Sequence, residues 1–369
     1  MGDVIFAPFS DKSPLEIVRN LLGLEGYLDD VKKGDFVGIK LHVGEYGNMT
    51  HIRPQIVRIV VEELKKREAK PFLFDCNTLY REKRWNAVDH YETAYKNGFT
   101  YATVGAPFLI GDGIRGKAET ELKVTSGETD VAYVGKIIED IDYLFVLTHF
   151  KFHELFGYGG AMKNVGMGMA SRRGKLFQHS DIKPEVMKDK CTACGECAIH
   201  CPSQAITIEK TAQLNRDTCI GCGMCVVTCK YGAIEFEWTD ARKAVKKTLC
   251  YVKTILDKIE RRAYFSVLMD ITPNCDCYGV TMNPVVQNIG FLFSKDIVSI
   301  DAASVDLVEK AEPLKDVNWK RKEFASKDKV KALFDINLDM NEFFKMAEDI
   351  GLGNRDYNLV VGPGGRSQK

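Results

Sequence analysis

The chain has 369 residues, 45% of them hydrophobic, and its 51 basic residues equal its 51 acidic ones. That length buries one large core and leaves room for a second, smaller unit. The neutral balance argues against nonspecific nucleic-acid binding, and no apolar run approaches the ~18 residues of a membrane span.

The predicted elements alternate from the start. Val4–Phe9 reads as a strand, and Ser13-Pro14 opens a helix to about Leu22. Phe36–His42 is a second strand whose alternation sets Val37, Ile39 and Leu41 against Lys40 and His42. Arg53–Arg67 carries apolar residues at helical spacing, Pro71–Asp75 is a strand, and Trp85–Asn97 is a helix. Val131–Ile138 and Tyr143–His149 are further strands. Beyond residue 237 come a basic helix over Asp240–Arg262, strands at Tyr264–Asp270 and Ile297–Ile300, and a helix over Asn341–Ile350. Strands alternating with helices predict an α/β fold with a mostly parallel sheet flanked by helices.

The alternation is interrupted by two cysteine runs. The first is Cys191, Cys194, Cys197 and Cys201; the second is Cys219, Cys222, Cys225 and Cys229. Each has the C-x2-C-x2-C-x3-C spacing that binds a [4Fe-4S] cluster, whereas structural zinc more often uses paired C-x2-C elements. This stretch resembles the bacterial two-cluster ferredoxins over residues 182–237. In that arrangement the fourth cysteine of each run serves the other cluster. Cys191, Cys194, Cys197 and Cys229 then hold one cluster, and Cys219, Cys222, Cys225 and Cys201 the other. Ala205–Ile208 and Ala233–Phe236 would supply the short strands of a small α+β module. The organisation implied is an α/β host over 1–181 and 238–369 with the cluster module inserted at 182–237. Lys230 stands where such ferredoxins often have proline, a residue that ligates nothing. Eight of the twelve cysteines are thereby used as thiolates, which points to the cytoplasm. The N-terminus lacks the layout of a signal peptide, and low-potential clusters suit an anaerobic setting.

A second constellation lies at predicted strand ends, where open α/β sheets bind ligands. It comprises Lys40 and His42, Asp75, the co-directed His149, Lys151 and His153, and Asp270 followed by Cys275 and Cys277. The cysteine pair reads either as soft metal ligands, with Asp270, His42 or His149, or as two ordinary loop cysteines; C-x-C is too short for a strain-free disulfide. Gly157–Gly168 reads as an anion-binding loop in which Gly159 and Gly160 free backbone donors and Lys163 adds charge. Arg172, Lys175 and His179 follow it. The bland alternative is a connector to the insert.

Lys40-x-His42, His51-Ile-Arg53-Pro54, Gly159-Gly-Ala-Met-Lys163-Asn, Ser171-Arg-Arg-Gly-Lys175 and Asp296-Ile-Val-Ser-Ile-Asp301 resemble the DUF362-type iron–sulfur proteins. A more distant resemblance is to the lactate racemase family. Arg53-Pro54 is similar to its Arg-Pro element; His153, Lys163 and His179 are similar to its histidine, cofactor-bearing lysine and later histidine. That family's Gly-x-His-Arg element has no counterpart here; the comparable turn is Asn77–Arg81. Racemisation and the nickel cofactor are therefore not implied.

These observations predict an iron–sulfur electron-transfer protein. In its enzymatic form it is a ferredoxin-coupled oxidoreductase passing electrons from two [4Fe-4S] clusters to a metal or small anionic ligand at the strand ends. Lys40, His42, Asp75, His149, His153 and Lys163 would do the chemistry, while Arg53, Gly159, Gly160, Lys163, Arg172 and His179 would bind the ligand. The alternative is a non-catalytic electron carrier or a metallocofactor-assembly protein. An acidic electron-transfer protein is the partner that the basic helix Ala241–Arg262 would suit. The insert itself has six basic and seven acidic residues between Lys183 and Glu237, which favours a built-in electron wire over a free carrier.

Overall fold

The computed structural model describes residues 2–80, 82–127, 129–179, 184–219, 221–235, 240–315, 317 and 319–362. Its centre is an eight-stranded sheet. In order across the sheet the strands are Tyr357–Val361, Gly2–Pro8, Gly290–Ser294, Arg262–Leu268, Tyr143–His149, Phe36–Lys40, Lys70–Asp75 and Phe108–Ile110. All neighbours pair parallel except Gly290–Ser294, which runs antiparallel to both of its partners.

Alternation assigns the two faces. Val37, Ile39, Phe145, Leu147, Phe265 and Val267 enter one core, closed by the helices Pro14–Leu22 and Pro54–Lys66. Phe74, Leu144, Val146, Tyr264 and Leu292 enter the other, closed by Ala161–Gly166, Ala241–Lys258, Ile297–Lys310 and Met340–Asp349. The result is a three-layer sandwich, the expected α/β class. Local sequence sets several helix starts. Proline occupies the first turn at Pro14 and Pro54. Asn86, Asp240 and Asp339 accept backbone N–H groups as N-caps.

Three expected elements change. Ile297–Ile300 is the first turn of a helix, Ile297–Lys310, and not a strand. Asp296 caps it by accepting the N–H groups of Val298 and Ser299, and burial of nearly every residue hides its helical period. The strand lies just before, at Gly290–Ser294. Val131–Gly135 pairs with Glu119–Lys123 in a hairpin outside the main sheet and runs into a 3-10 helix, Lys136–Asp140. The basic helix stops at Lys258, and Arg262 opens a central strand. Its charges are largely engaged. Arg242 pairs with Glu342, buried Lys247 donates to the Phe177 carbonyl, and Lys253 pairs with Asp257; past the helix end, Arg261 pairs with Asp35.

Between residues 184 and 235 the elements are short. Glu185–Val186 pairs with Ile234–Glu235, and Ile206–Ile208 with Ala212–Leu214, both antiparallel. The helices Glu196–Ile199 and Met224–Thr228 each follow a glycine of positive φ, Gly195 and Gly223. Phe236, the expected borders 181/182 and 237/238, and the tail beyond Gly362 lie outside the described residues. Among the described residues no helix is long and apolar enough to cross a membrane.

Candidate functional site

Four neighbouring parallel strands, Arg262–Leu268, Tyr143–His149, Phe36–Lys40 and Lys70–Asp75, end on the same edge of the sheet. Beyond that edge opens a cavity of ≈ 600 Å³. Its lining includes Lys40, His42, Asp75, His149, His153, Gly159, Gly160, Lys163, His179, Cys275 and Cys277. One cavity thus collects residues from positions 40 to 277, as the strand-end rule anticipates.

The floor is an ionic lattice. Lys40, 1% exposed, meets Asp75 at 3.0 Å and donates to Asn164 Oδ1 at 2.8 Å. Gly168 leaves room for it, since a Cβ there would collide with the Lys40 side chain. Arg84 joins Asp75 at 3.6 Å and Glu45 at 3.1 Å, both contacts buried. Burial pushes the Asp75 carboxyl up, but Lys40, His90, His42 and Arg84 outweigh it and hold it well below the usual carboxylate range. Burial likewise draws the Lys40 ammonium down, against Asp75. Removing one member would leave the others charged in a medium that solvates them poorly.

One wall carries sulfur. The Sγ atoms of Cys275 and Cys277 lie 2.7 Å apart, and Cys277 Sγ is 3.4 Å from His42 Nε2. Ligand atoms of His42, Cys275 and Cys277 fall within 4.8 Å of one another, so the trio could hold a metal ion. The hydrogen bond from Cys275, more than any other influence, brings the Cys277 thiol well below its ordinary value; His42 and Lys163 assist, and burial opposes. The same bond, then burial, raises Cys275. Burial, then Arg84, lowers His42, which favours the neutral imidazole.

His149 does not join this trio. Its Nδ1 faces Asp276 at 2.9 Å and its Nε2 faces the Met269 carbonyl at 2.9 Å, so both nitrogens are engaged by acceptors. Lys151 also meets Asp276, at 3.0 Å. His149 and Lys151 therefore clamp the residue between the two cysteines. Of the partners considered for the sulfur pair, His42 is the one beside it, and His149 and Asp270 are not.

Beside the sulfur pair the wall is basic. Lys163 comes within 3.8 Å of Cys275 Sγ and lies over the ring of Phe156. Burial, then the Lys163 charge, pushes His153 well down and His179 to about 3. Both shifts favour the neutral imidazole, which leaves Lys163 as the cationic side chain facing an anion. Two backbone donors of the expected anion loop are taken by the protein itself. Asp301 accepts the N–H groups of Ala161 and Met162 at 2.6 and 2.9 Å, and a side chain at Gly160 would strike it. Gly159 and Gly160 shape the wall but do not present those donors to a ligand.

Two expected ligand-binding residues lie elsewhere. Arg53, 55% exposed, pairs with Asp270 outside the cavity lining. Arg172 is fully buried and donates to the carbonyls of Thr78, Arg115 and Trp85 and, at 2.8 Å, to Met224 Sδ. It joins the cysteine-rich segment to the turn Thr78–Tyr80, which lines the cavity. At the same seam a Cβ on Gly223 would lie 2.8 Å from Leu79 Cδ1, and Arg115 meets His200 at 2.9 Å.

In that segment Cys191, Cys194, Cys197 and Cys229 line one small cavity. Burial raises the thiol of Cys222, and the neighbouring charges of Cys201 and Cys219 add to the rise. Both observations cross between the two runs. Backbone N–H groups of Ala205, Ala212, Gly221 and Ala233 donate to the sulfurs of Cys201, Cys191, Cys219 and Cys229.

Sequence reasoning did not nominate Arg84, Glu45, Tyr80 or Asp276 as site residues, although Glu45 and Tyr80 lie at a predicted strand end and in the turn Asn77–Arg81. Asp276 was signalled by its place between two cysteines; Arg84 lies in a polar loop with no motif.

A family model described as "Domain of unknown function (DUF362)" matches residues 37–306. No curated protein matches the chain. Among solved structures it is similar to the lactate racemase apoprotein from Thermoanaerobacterium thermosaccharolyticum, at 15% identity and a TM-score of 0.38, over 73% of this chain and 51% of that one. It is also similar to a structural-genomics protein from Thermotoga maritima, at 13% identity and a TM-score of 0.38, over 70% and 52%. The chain spans about half the length of these solved chains.

Proposed function

The chain belongs to the DUF362 family, and on that premise we propose that it is an iron–sulfur electron-transfer protein, an oxidoreductase whose redox-active substrate site is the strand-end cavity. The carrying observation is the set of cysteines around the small cavity: three from the first run and Cys229 from the second. That is the exchange of fourth ligands that a two-cluster module needs.

The donor set fits two [4Fe-4S] clusters, with Cys191, Cys194, Cys197 and Cys229 on one and Cys219, Cys222, Cys225 and Cys201 on the other. Such clusters supply electrons singly. The chain's own residues do the rest. Four backbone N–H groups donate to cysteine sulfurs, an interaction that tunes cluster potentials. Arg172, Leu79 and Gly223 seat the second run against the cavity turn. Residues 182–237 act as a module inserted in the α/β host. In the cavity Lys163 holds a small anionic ligand, His153 and His179 line the same wall as neutral rings, and the Lys40–Asp75–Arg84 lattice keeps the floor rigid.

Anaerobic reconstitution followed by iron and sulfide analysis tests the reading. About eight of each per chain are expected for two [4Fe-4S] clusters, falling by half in Cys194→Ala. A single zinc per run, with no acid-labile sulfide, would refute it.

A further inference from the structure

Cys275 and Cys277 occupy a loop held on both flanks. Asp276 is fully buried between His149 and Lys151. Its carbonyl accepts the N–H of Glu45 at 2.8 Å, which ties the loop to the one that follows His42. Cys275 is buried, Cys277 is half-buried, and both line the large cavity.

The hydrogen bonds of His42 decide between two chemistries for this wall. A metal ligand must offer a lone pair to the metal. The backbone N–H of Gly44 donates to His42 Nδ1 at 3.0 Å, so the lone pair sits on Nδ1 and the ring proton of the neutral imidazole on Nε2. It is Nε2 that faces Cys277 Sγ, at 3.4 Å. Coordination through Nε2 would require the ring to lose its last proton or to abandon Gly44. Donation from Nε2–H to sulfur requires neither. Tyr80 lines the same cavity, and Lys163 stands 3.8 Å from Cys275 Sγ. Each sulfur therefore faces one nitrogen donor, and the two are already in mutual contact.

We infer that Cys275 and Cys277 form a reversible dithiol–disulfide couple in the cavity wall, with His42 as its positioning residue. Oxidation breaks two S–H bonds, makes one Sγ–Sγ bond and releases two electrons and two protons; reduction reverses each change. The substrate class is a small disulfide or dithiol. A disulfide R–S–S–R takes both hydrogens and leaves as two R–SH, while the protein keeps the Cys275–Cys277 bond. The C-x-C ring is strained, and strained disulfides are the oxidising, labile ones. The same strain that excludes a structural bridge suits a bond that is made and broken in turn. This inference rests on the cavity being the redox site, and its chemistry is complete in protein atoms.

Trypsin provides a direct assay, because Ala263–Lys295 contains Cys275 and Cys277 and no other cysteine. The anaerobic native protein is equilibrated in mixtures of reduced and oxidised dithiothreitol, acid-quenched, alkylated, digested and weighed. The peptide should pass reversibly from a doubly alkylated form to an unalkylated form two hydrogens lighter, with one midpoint. Cys277→Ser should abolish the transition. His42→Ala should move the midpoint at least about threefold toward the disulfide, because the reduced sulfur loses a donor. Iron and sulfide are measured on the same samples, so loss of clusters and absence of the couple are separate results. A peptide that stays doubly alkylated in every mixture would overturn the inference. So would one equivalent of bound metal that protects both thiols from alkylation and is lost in Cys277→Ser.

Discussion

Among its described residues the cysteine-rich segment shares one small apolar cluster, Cys197, Ile206, Ala212, Cys225 and Ile234, and two of its members are candidate ligands. The α/β part has an extensive core on each face of its sheet. A unit with so little apolar surface to bury depends on its ligands for stability, whereas the sandwich stands on burial. The cavity belongs to the second kind. Its polar groups are held by a frame that exists without any ligand, through Lys40–Asp75, Arg84–Glu45 and His149–Asp276.

The largest expected effect follows from that contrast. Chelating the iron should open the segment, with tryptic cleavage at Lys188, Lys190, Lys210, Arg216 or Lys230, while the α/β part stays resistant. Cleavage throughout the chain at equal rates would show that the two regions form one cooperative unit.

Next comes the cavity floor. Asp75→Ala should cost about 3–5 kcal/mol, the range for breaking a buried ion pair, because Lys40 and Arg84 lose their shared partner. Urea unfolding followed by near-ultraviolet circular dichroism measures it. A loss below about 1 kcal/mol would mean that the lattice relaxes and is not a frame.

A pH dependence should follow from Asp301, whose carboxyl burial pushes up to about 7. An acid raised in the folded state binds its proton there while the unfolded chain has released it. Its contribution is complete below the unfolded value near 4 and is lost as pH rises to about 7. Stability should therefore fall across that window by an amount on the order of a few kcal/mol. Asp301→Asn should flatten the slope between about pH 4 and about pH 7 in urea titrations. An unchanged slope would assign it to other groups.

The smallest effect concerns the basic wall. Lys163→Ala should weaken binding of inorganic phosphate by about tenfold, ~1.4 kcal/mol, and Lys163→Arg should retain part of it. Calorimetry decides. Equal affinity in all three proteins would remove the anion from the cavity, and an adduct on Lys163 in the native mass spectrum would mark a covalent anchor instead of a point charge.

The cysteine spacing could be read directly, because three ligands of each cluster lie within seven consecutive residues and need only a local loop to converge. The α/β class was equally accessible, since alternation and helix period are local consequences of burial. Lys40, His42, Asp75 and His149 could be nominated because parallel strands bring their ends together whatever their order in the sheet. Local pattern failed at Ile297, where continuous burial erased the period, and at Val131, whose alternation is satisfied by a separate hairpin.

Only tertiary structure could decide the rest. Arg172 looks like a ligand-binding arginine until its guanidinium is seen spanning the seam at Thr78, Trp85 and Met224. Gly159 and Gly160 look like an anion nest until Asp301, far along the chain, occupies the donors beside them. His42 and His149 are equivalent on paper. Their roles separate because Asp276 claims one and Gly44 orients the other toward sulfur. Which atom meets a given side chain depends on long-range packing, and no local periodicity encodes that.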